Sequence, residues 1–371
     1  MTVKQLMVRN FRNYECQVID FGEGINILYG NNAQGKTNIL EALYIAATGK
    51  SYRTNNYQDL IQYGKLSFEI KLSALTDERE NSILIRHSKG KGRFIEVNGV
   101  KRDKISDILG TFNIIMFSPE TLEIVKGSPQ LRRKFLDILL CQTDRKYLFY
   151  LQQYNKLIKN KSVALRRGRE DRKFDEVIPV WNERISVLGG KIAALRNETL
   201  HKLNRHMNEE IKKITSGKET SLLIYNTFCE CSENSDEKYF ENQLRKKLNE
   251  GIEKEFRLCQ CLYGPHRDDF EILLNGMNSR HYCSQGQQRT LALSLIISQL
   301  YYIKEVKNEK PVLLLDDVMS ELDLSRQEYL LNGLYDVQTM ITTTDALAFS
   351  NMDNRKIRRF YVENGKVFYE S

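Results

Sequence analysis

Residues 30–37 read Gly-Asn-Asn-Ala-Gln-Gly-Lys-Thr, set between the apolar run Ile25–Tyr29 and a helical pattern over Asn38–Ala47. A G-x-x-x-x-G-K-T loop after a strand and before a helix leaves few folds open. Glycines let backbone N–H groups curl round phosphate oxygens, and the helix start adds partial positive charge. Gly30, Asn31, Asn32, Ala33, Gln34, Gly35 and Asn38 form the expected cradle. Lys36 is expected to reach the β- and γ-phosphates and the Thr37 hydroxyl to ligate Mg²⁺. The chain is therefore expected to bind a nucleoside triphosphate.

Two blocks near the other end of the chain narrow this. Pro311-Val312-Leu313-Leu314-Leu315-Asp316-Asp317 reads as a buried strand ending in two carboxylates. Asp316 suits Mg²⁺ and Asp317 suits an attacking water, although such pairs also cap helices. Ser284-Gln285-Gly286-Gln287-Gln288-Arg289 precedes the apolar helix Thr290–Ile303, where a hydroxyl and free N–H groups face an anion or simply cap the helix. Ser320-Glu321-Leu322-Asp323 and Thr342-Thr343-Thr344-Asp345 follow.

The pattern between these blocks organises the chain. Period-two alternation at Leu6/Val8, Phe68/Ile70/Leu72 and Ile83/Ile85 predicts half-buried strands, and Asn98-Gly99 predicts a hairpin turn. From Ser118-Pro119-Glu120 to about Glu255 the spacing turns helical, interrupted by a strand over Ser221–Phe228. The stretch from Phe174 to Ile214 is expected to supply a short helical hairpin. Strand/helix alternation returns after Gly264. An α/β domain is thus expected from residues 1–118 and 264–371, with a mainly helical domain, 119–263, inserted. A length of 371 residues suits two domains. Only 21 glycines and 5 prolines argue against a disordered or linker-rich chain.

The seven cysteines read as reduced thiols. Cys229/Cys231 and Cys259/Cys261 are spaced more closely than zinc ligands usually are. With Arg9 and Arg12 near the start and no long apolar run, neither export nor a membrane span is expected, and the chain reads as cytoplasmic. The net charge of +8 is compatible with a polyanion. Lys156, Lys159, Lys161, Arg166, Arg167, Arg169, Arg172 and Lys173, against Glu170 and Asp171, form a candidate DNA-backbone track or a solvated helix face. Arg132, Arg133 and Lys134 belong to that track or pack at a domain junction. His266, beside Asp268 and Asp269, is expected to hydrogen-bond within the fold rather than hold a metal.

In this order the blocks resemble Walker A, signature, Walker B, D-loop and switch of the ABC and SMC class of ATPase heads. More narrowly, the chain resembles the RecF family of bacterial recombination-repair proteins. That likeness is carried by Asn10-Phe11-Arg12-Asn13-Tyr14, Ser118-Pro119-Glu120, Val125-Lys126-Gly127-Ser128-Pro129, Arg132-Arg133-Lys134-Phe135-Leu136-Asp137, Gly264-Pro265-His266-Arg267-Asp268-Asp269 and Ser284–Arg289. It implies an α/β ABC/SMC-like P-loop head with an inserted helical domain and no long coiled coil, since too few residues separate Thr37 from Ser284. It places Arg12 near the phosphates of ATP, Thr37 and Asp316 on Mg²⁺, and Ser284, Gly286 and Gln287 on the ATP of a second copy. Asp323 would link the two sites.

The implied catalytic set is Lys36, Asp316, Asp317, Ser284 and Thr343. The class usually has Glu at the Asp317 position, and Thr343 or Thr344 stands where many members have His. A shorter carboxylate implies slow hydrolysis, and the resemblance implies that DNA stimulates this weak ATPase. The resemblance further implies an ATP-dependent homodimer on gapped DNA or single-strand/double-strand junctions, with RecR and RecO as partners and RecA loading as the outcome. The residues by themselves leave two rivals: a P-loop phosphotransferase on a small acceptor, and a structural DNA-binding protein that holds ATP without turnover.

Overall fold

The computed structural model describes residues 1–167, 177–333, 336–345 and 357–370. The chain forms two compact units, 1–122 with 299–371, and 123–298.

The first unit opens with β1 (Thr2–Phe11), β2 (Tyr14–Asp20), β3 (Ile25–Tyr29) and α1 (Lys36–Thr48). It continues through β4 (Ser67–Thr76), β5 (Arg79–Ser88), β6 (Gly92–Val97), β7 (Val100–Arg102) and β8 (Ile114–Phe117). The intervening chain holds α2 (Pro119–Lys126), α3 (Pro129–Thr143), α4 (Arg145–Arg167), α5 (Val177–Ile214), β9 (Ser221–Asn226), α6 (Glu237–Glu250) and α7 (Ile252–Leu258). After β10 (Asp269–Leu274), β11 (Met277–Asn278), α8 (Ser279–Tyr282) and α9 (Gln285–Lys307), the chain returns with β12 (Val312–Asp316), α10 (Leu324–Gly333), β13 (Thr339–Thr343), β14 (Ile357–Glu363) and β15 (Lys366–Glu370).

Two sheets build the first unit. One is antiparallel, in the order β2-β1-β4-β5-β6-β7; the other runs β15-β14-β3-β13-β12-β8, parallel except for β15. Between them lies α1, apolar on nearly every side (Ile39, Leu40, Leu43, Ile45), as a helix covered all round must be. Its core joins Leu6, Val8 and Ile70 of one sheet to Leu28, Leu314 and Met340 of the other. Chain ends meet at the buried Gln338: its Nε2 donates to Val3 O at 2.9 Å and Gly22 O at 2.6 Å, and its Oε1 accepts from Val3 N at 2.6 Å. At the outer edge, Gln17 accepts from Val367 N at 3.1 Å and donates to Val367 O at 3.3 Å.

The second unit differs from the sequence expectation in two respects. Residues 264–298 lie within it, because β10 pairs along its whole length with β9 of the same unit. The expected hairpin between Phe174 and Ile214 is instead, over its described part, the single helix α5. Gly189 and Gly190 do not break α5; they let α6 approach it. A Cβ on Gly189 would stand 2.4 Å from Leu244, and one on Gly190 2.7 Å from the Glu241 nitrogen.

Buried charge organises this unit. Arg196, 2% exposed, donates to Asp137 at 2.8 Å, Asp268 at 3.0 Å, Pro265 O at 2.7 Å and the Tyr147 hydroxyl at 3.0 Å. Asp268 also accepts from Thr227 at 2.7 Å and from Tyr225. His266 Nε2 lies 3.0 Å from Cys261 O, which can only accept, so Nε2 carries the proton and Nδ1 accepts from Tyr154 at 2.7 Å. Burial pushes the His266 pKa down to about 4, helped by Arg267, Lys161 and Arg133 and opposed by the Cys261 carbonyl.

The unfolded chain therefore binds a proton on His266 from about pH 6.5 downward, and the folded chain only near pH 4. Stability is full above that window and falls through it. Urea unfolding is expected to show His266→Gln losing about 2 kcal/mol less than the unsubstituted chain between pH 7 and pH 5.

Candidate nucleotide site

Backbone shape comes first. Gly30 has φ 144°, and a Cβ there would lie 2.3 Å from Val362 O, so β14 closes on the start of the loop. Gly35, at φ 118°, caps α1 where a Cβ would stand 2.6 Å from the Asn13 amide. These two positions exclude side chains for steric reasons. Gln34 is held from outside the loop: its carbonyl accepts from Asn13 Nδ2 at 2.8 Å and Gly365 N at 3.2 Å, and its Oε1 accepts from Asn364 N at 2.7 Å. The turns β1–β2 and β14–β15 thus brace the loop. Asn31, Asn32 and Ala33 are exposed along it.

Lys36 is 8% exposed, its Nζ donating to Gly30 O at 2.6 Å and Asn31 O at 2.8 Å. Burial lowers its pKa, while Asp317 and Asp316 act in the opposite sense. Thr37 Oγ1 donates to Asp316 Oδ1 at 2.8 Å. The same oxygen accepts from Thr342 at 2.9 Å, and Oδ2 accepts from the Tyr52 hydroxyl at 2.9 Å. Asp317 sits at φ 53°, exposed, with its N–H donating to Thr342 Oγ1 at 2.9 Å. Burial and the neighbouring Asp316 raise its pKa, partly offset by Lys36. The Thr37 hydroxyl and Asp316 carboxylate are hard oxygen donors side by side, which fits Mg²⁺ beside a phosphate. Basic loop and uncapped helix start fit the phosphates themselves.

Arg12 is tied down. It donates twice to the fully buried Glu41, at 2.8 Å each, and to Asp59 O at 3.0 Å. Asn38 bridges Asn13 at 2.9 Å and Arg53 at 2.9 Å. Thr343 accepts from Asp345 N at 3.2 Å, so within the threonine run Thr342 is the residue that touches Asp316. Tyr52, Thr342, Glu41 and Asn13 escaped the sequence reading. Asn13 and Thr342 lay inside recognised blocks, Thr342 without distinction in Thr-Thr-Thr; Tyr52 and Glu41 have no motif spacing.

Signature residues lie in the second unit. Ser284 and Gln287 form a reciprocal capping box at the start of α9, with N–H to side-chain distances of 3.0 and 3.3 Å. Gln287 Nε2 also donates to Glu219 at 2.7 Å, while Ser284 is exposed and Gly286 lies in the first turn. Asp323 caps α10 through Ser325 at 2.8 Å and Arg326 N at 2.9 Å.

The basic stretch needs a correction. Lys161 is fully buried, 2.5 Å from the equally buried Glu255, because it shares the inner face of α4 with Tyr154, Ala164 and Leu165. Lys156, Lys159 and Arg166 are exposed on the same helix. Arg169, Arg172 and Lys173, with the side chain of Arg167, lie outside the described residues. Arg132 pairs with Asp269 at 2.7 and 2.9 Å, and Arg133 donates to Asp268 O at 2.5 Å, so both are committed within the unit. Among the described residues no cluster of three or more His, Cys, Asp or Glu side chains could hold a metal, and no helix is long and apolar enough to cross a membrane.

A P-loop between a parallel and an antiparallel sheet, with a carboxylate strand reaching its threonine, defines a P-loop head of the ABC/SMC class. The family model described as the RecF/RecN/SMC N terminal domain matches residues 2–367. The head domain of Smc from Pyrococcus furiosus shares this fold at a TM-score of 0.58 and 19% identity, covering 100% of this chain and 96% of that one. The DNA replication and repair protein RecF of Acetivibrio thermocellus is 38% identical over 100% of both chains, and that of Clostridium acetobutylicum 41% identical over 99% of both. A solved structure described as the recombination mediator protein RecF with ATP in the RecFOR pathway superposes at a TM-score of 0.93, 36% identical, covering 100% of this chain and 98% of that one. The chain belongs to the RecF family.

Glu41 is fully buried and serves both Arg12 and Arg53. Glu41→Ala strands Arg12 and is expected to cost about 3 kcal/mol in urea unfolding. Arg53→Ala, removing the exposed partner, is expected to cost less than about 1 kcal/mol.

Proposed function

We propose that the chain is an ATP-dependent DNA-binding clamp of replication and recombinational repair in the cytoplasm. The observation that carries this is Asp316, which gathers Thr37 and Thr342 beside a P-loop whose Lys36 lies 2.6 Å from Gly30 O. Residues 1–122 with 299–371 act as the ATPase lobe and 123–298 as the second lobe. Lys36 and the loop N–H groups take the β- and γ-phosphates of ATP. Mg²⁺, held by Thr37 and Asp316, neutralises charge shared between those phosphates. Asp317 orients the attacking water, with a carboxylate one methylene shorter than the Glu usual in the class, so turnover is slow. Thr343 follows the γ-phosphate at the end of β13.

Ser284, Gly286 and Gln287 of one copy close on the ATP of the other, so ATP drives a homodimer around DNA and hydrolysis releases it. The exposure of Ser284 at a helix start supports this. Lys156, Lys159 and Arg166 contact the phosphate backbone at gaps or junctions. The likeness to a solved RecF of the RecFOR pathway supports RecO and RecR as partners, and RecA loading is the outcome we assign to them.

Ser284→Arg is expected to bind Mg-ATP within about threefold of the unsubstituted chain yet stay monomeric in sedimentation, with hydrolysis lost. Lys36→Met is expected to lose both binding and dimerisation. A coupling of about 3 kcal/mol corresponds to roughly a hundredfold in the dimerisation constant. Dimerisation of Ser284→Arg at wild-type strength would sink the shared-site mechanism.

Reversing Lys156, Lys159 and Arg166 to Glu is expected to weaken duplex binding regardless of sequence. It should also flatten the salt dependence by about 3 in logarithmic slope. An unchanged slope in anisotropy titrations would make that face merely solvated.

A further inference from the structure

One end of the antiparallel sheet carries two adjoining turns that the nucleotide site does not use. The first, Gln62-Tyr63-Gly64-Lys65-Leu66, is closed by Lys65 N on Gln62 O at 3.0 Å and leads into β4. The second, around Lys89-Gly90-Lys91, joins β5 to β6. Lys89 N donates to Leu66 O at 2.9 Å, so the two turns are tied into one tip.

Its chemistry is unusual for a surface. Tyr63 is 101% exposed and Leu66 75%, although burying either would be worth about 2 kcal/mol. Residues 60–68 and 86–94 contain no acidic side chain but hold Lys65, Arg86, Lys89, Lys91 and Arg93. Three of these cations are engaged. Lys65 pairs with exposed Glu15 at 3.4 Å, Arg86 pairs with Glu69, and Arg93 lies 4.5 Å over the Tyr57 ring. Lys89 and Lys91 have no ion-pair partner among the described residues. Gly64, Gly90 and Gly92 have φ near 78° and nothing within 4 Å of a would-be Cβ, so the tip is open to a large ligand. Beside Ser67 lies a groove of about 260 Å³ lined by Arg9, Asn10, Phe68 and the paired Glu69 and Arg86.

We infer that this double turn is a contact for single-stranded DNA. Tyr63 stacks on an unpaired base, and Lys89 and Lys91 neutralise phosphates to either side. The charge selects a polyanion. The bare ring selects an unpaired base, because a duplex hides its base faces whereas single strands offer a π-face at every nucleotide. The inference rests on the DNA-binding reading above but concerns a different element from α4.

The test uses the full chain with Mg-ATP, anisotropy titrations across a salt series, and two probes: a blunt duplex and the same duplex with an oligo-dT tail. Tyr63→Ala is expected to weaken the tailed probe about tenfold and leave the blunt one unchanged, with Tyr63→Phe restoring the affinity. Lys89→Glu with Lys91→Glu is expected to lower the salt slope on the tailed probe by about 1.4. Normal ATP affinity in each variant excludes misfolding. If both tip variants bind the tailed probe like the unsubstituted chain while the α4 variant fails, the inference falls and the DNA reading stands. A protein partner for the tip would give that same result. Equal loss on both probes from Tyr63→Ala also overturns it. If the unsubstituted chain binds neither probe, both readings fall together.

Discussion

Asp316 is where the first unit converges. Its carboxylate accepts the hydroxyls of Thr37 from α1, Tyr52 from the segment after it, and Thr342 from β13. A buried carboxylate is costly unless its lone pairs are filled, and here each donor comes from a different part of the chain. Filling them sets the register between the start of α1 and the ends of β12 and β13. Thr342 adds a second tie by accepting from Asp317 N, which fixes the backbone of the exposed carboxylate next door. Positioning of the loop, the metal-type donors and the water-facing acid therefore shares one anchor.

What the sequence made legible follows from how local the signal is. Ile25–Tyr29 is β3 to the residue, because an apolar run closed by a glycine loop has one reading. The hairpin at Asn98-Gly99 was legible for the same reason, since φ values of 53° and 76° suit those residues. Lys161 was misplaced because charge counting along a helix ignores phase: Tyr154, Lys161 and Leu165 fall on one buried face. The hairpin expected over Phe174–Ile214 is one helix in its described part, and Gly189-Gly190 mark its crossing with α6, some fifty residues away in sequence. Tyr52 and Thr342 show the general limit. Hydroxyl donors to a distant carboxylate carry no spacing rule, so only the folded backbone brings them together.

The second unit solves a different problem. Arg132, Arg133, Asp268 and Asp269 are spent on one another and on Arg196, and His266 hydrogen-bonds within the fold to Tyr154 and Cys261 O. Such a buried network adds little net stability compared with apolar packing, but it tolerates only one arrangement of its members. It joins α3, α5 and the turn before β10, which lie far apart along the chain. The exposed cations of α4 stand on a helix whose inner face carries its own enclosed ion pair, Lys161 with Glu255. Surface charge on that helix can change without disturbing the internal pairing.

The amide of Gln17 has a consequence beyond its two hydrogen bonds. It occupies both the N–H and the C=O of Val367, the groups a further strand would need in order to add to β15. An open strand edge recruits whatever extended chain it meets, and such fusion is hard to undo. Here the edge of the sheet that bears the nucleotide loop meets a side chain at Val367 instead of bare backbone. Two copies meeting along this border cannot pair backbone to backbone at Val367, so any merged sheet would first have to displace the Gln17 amide.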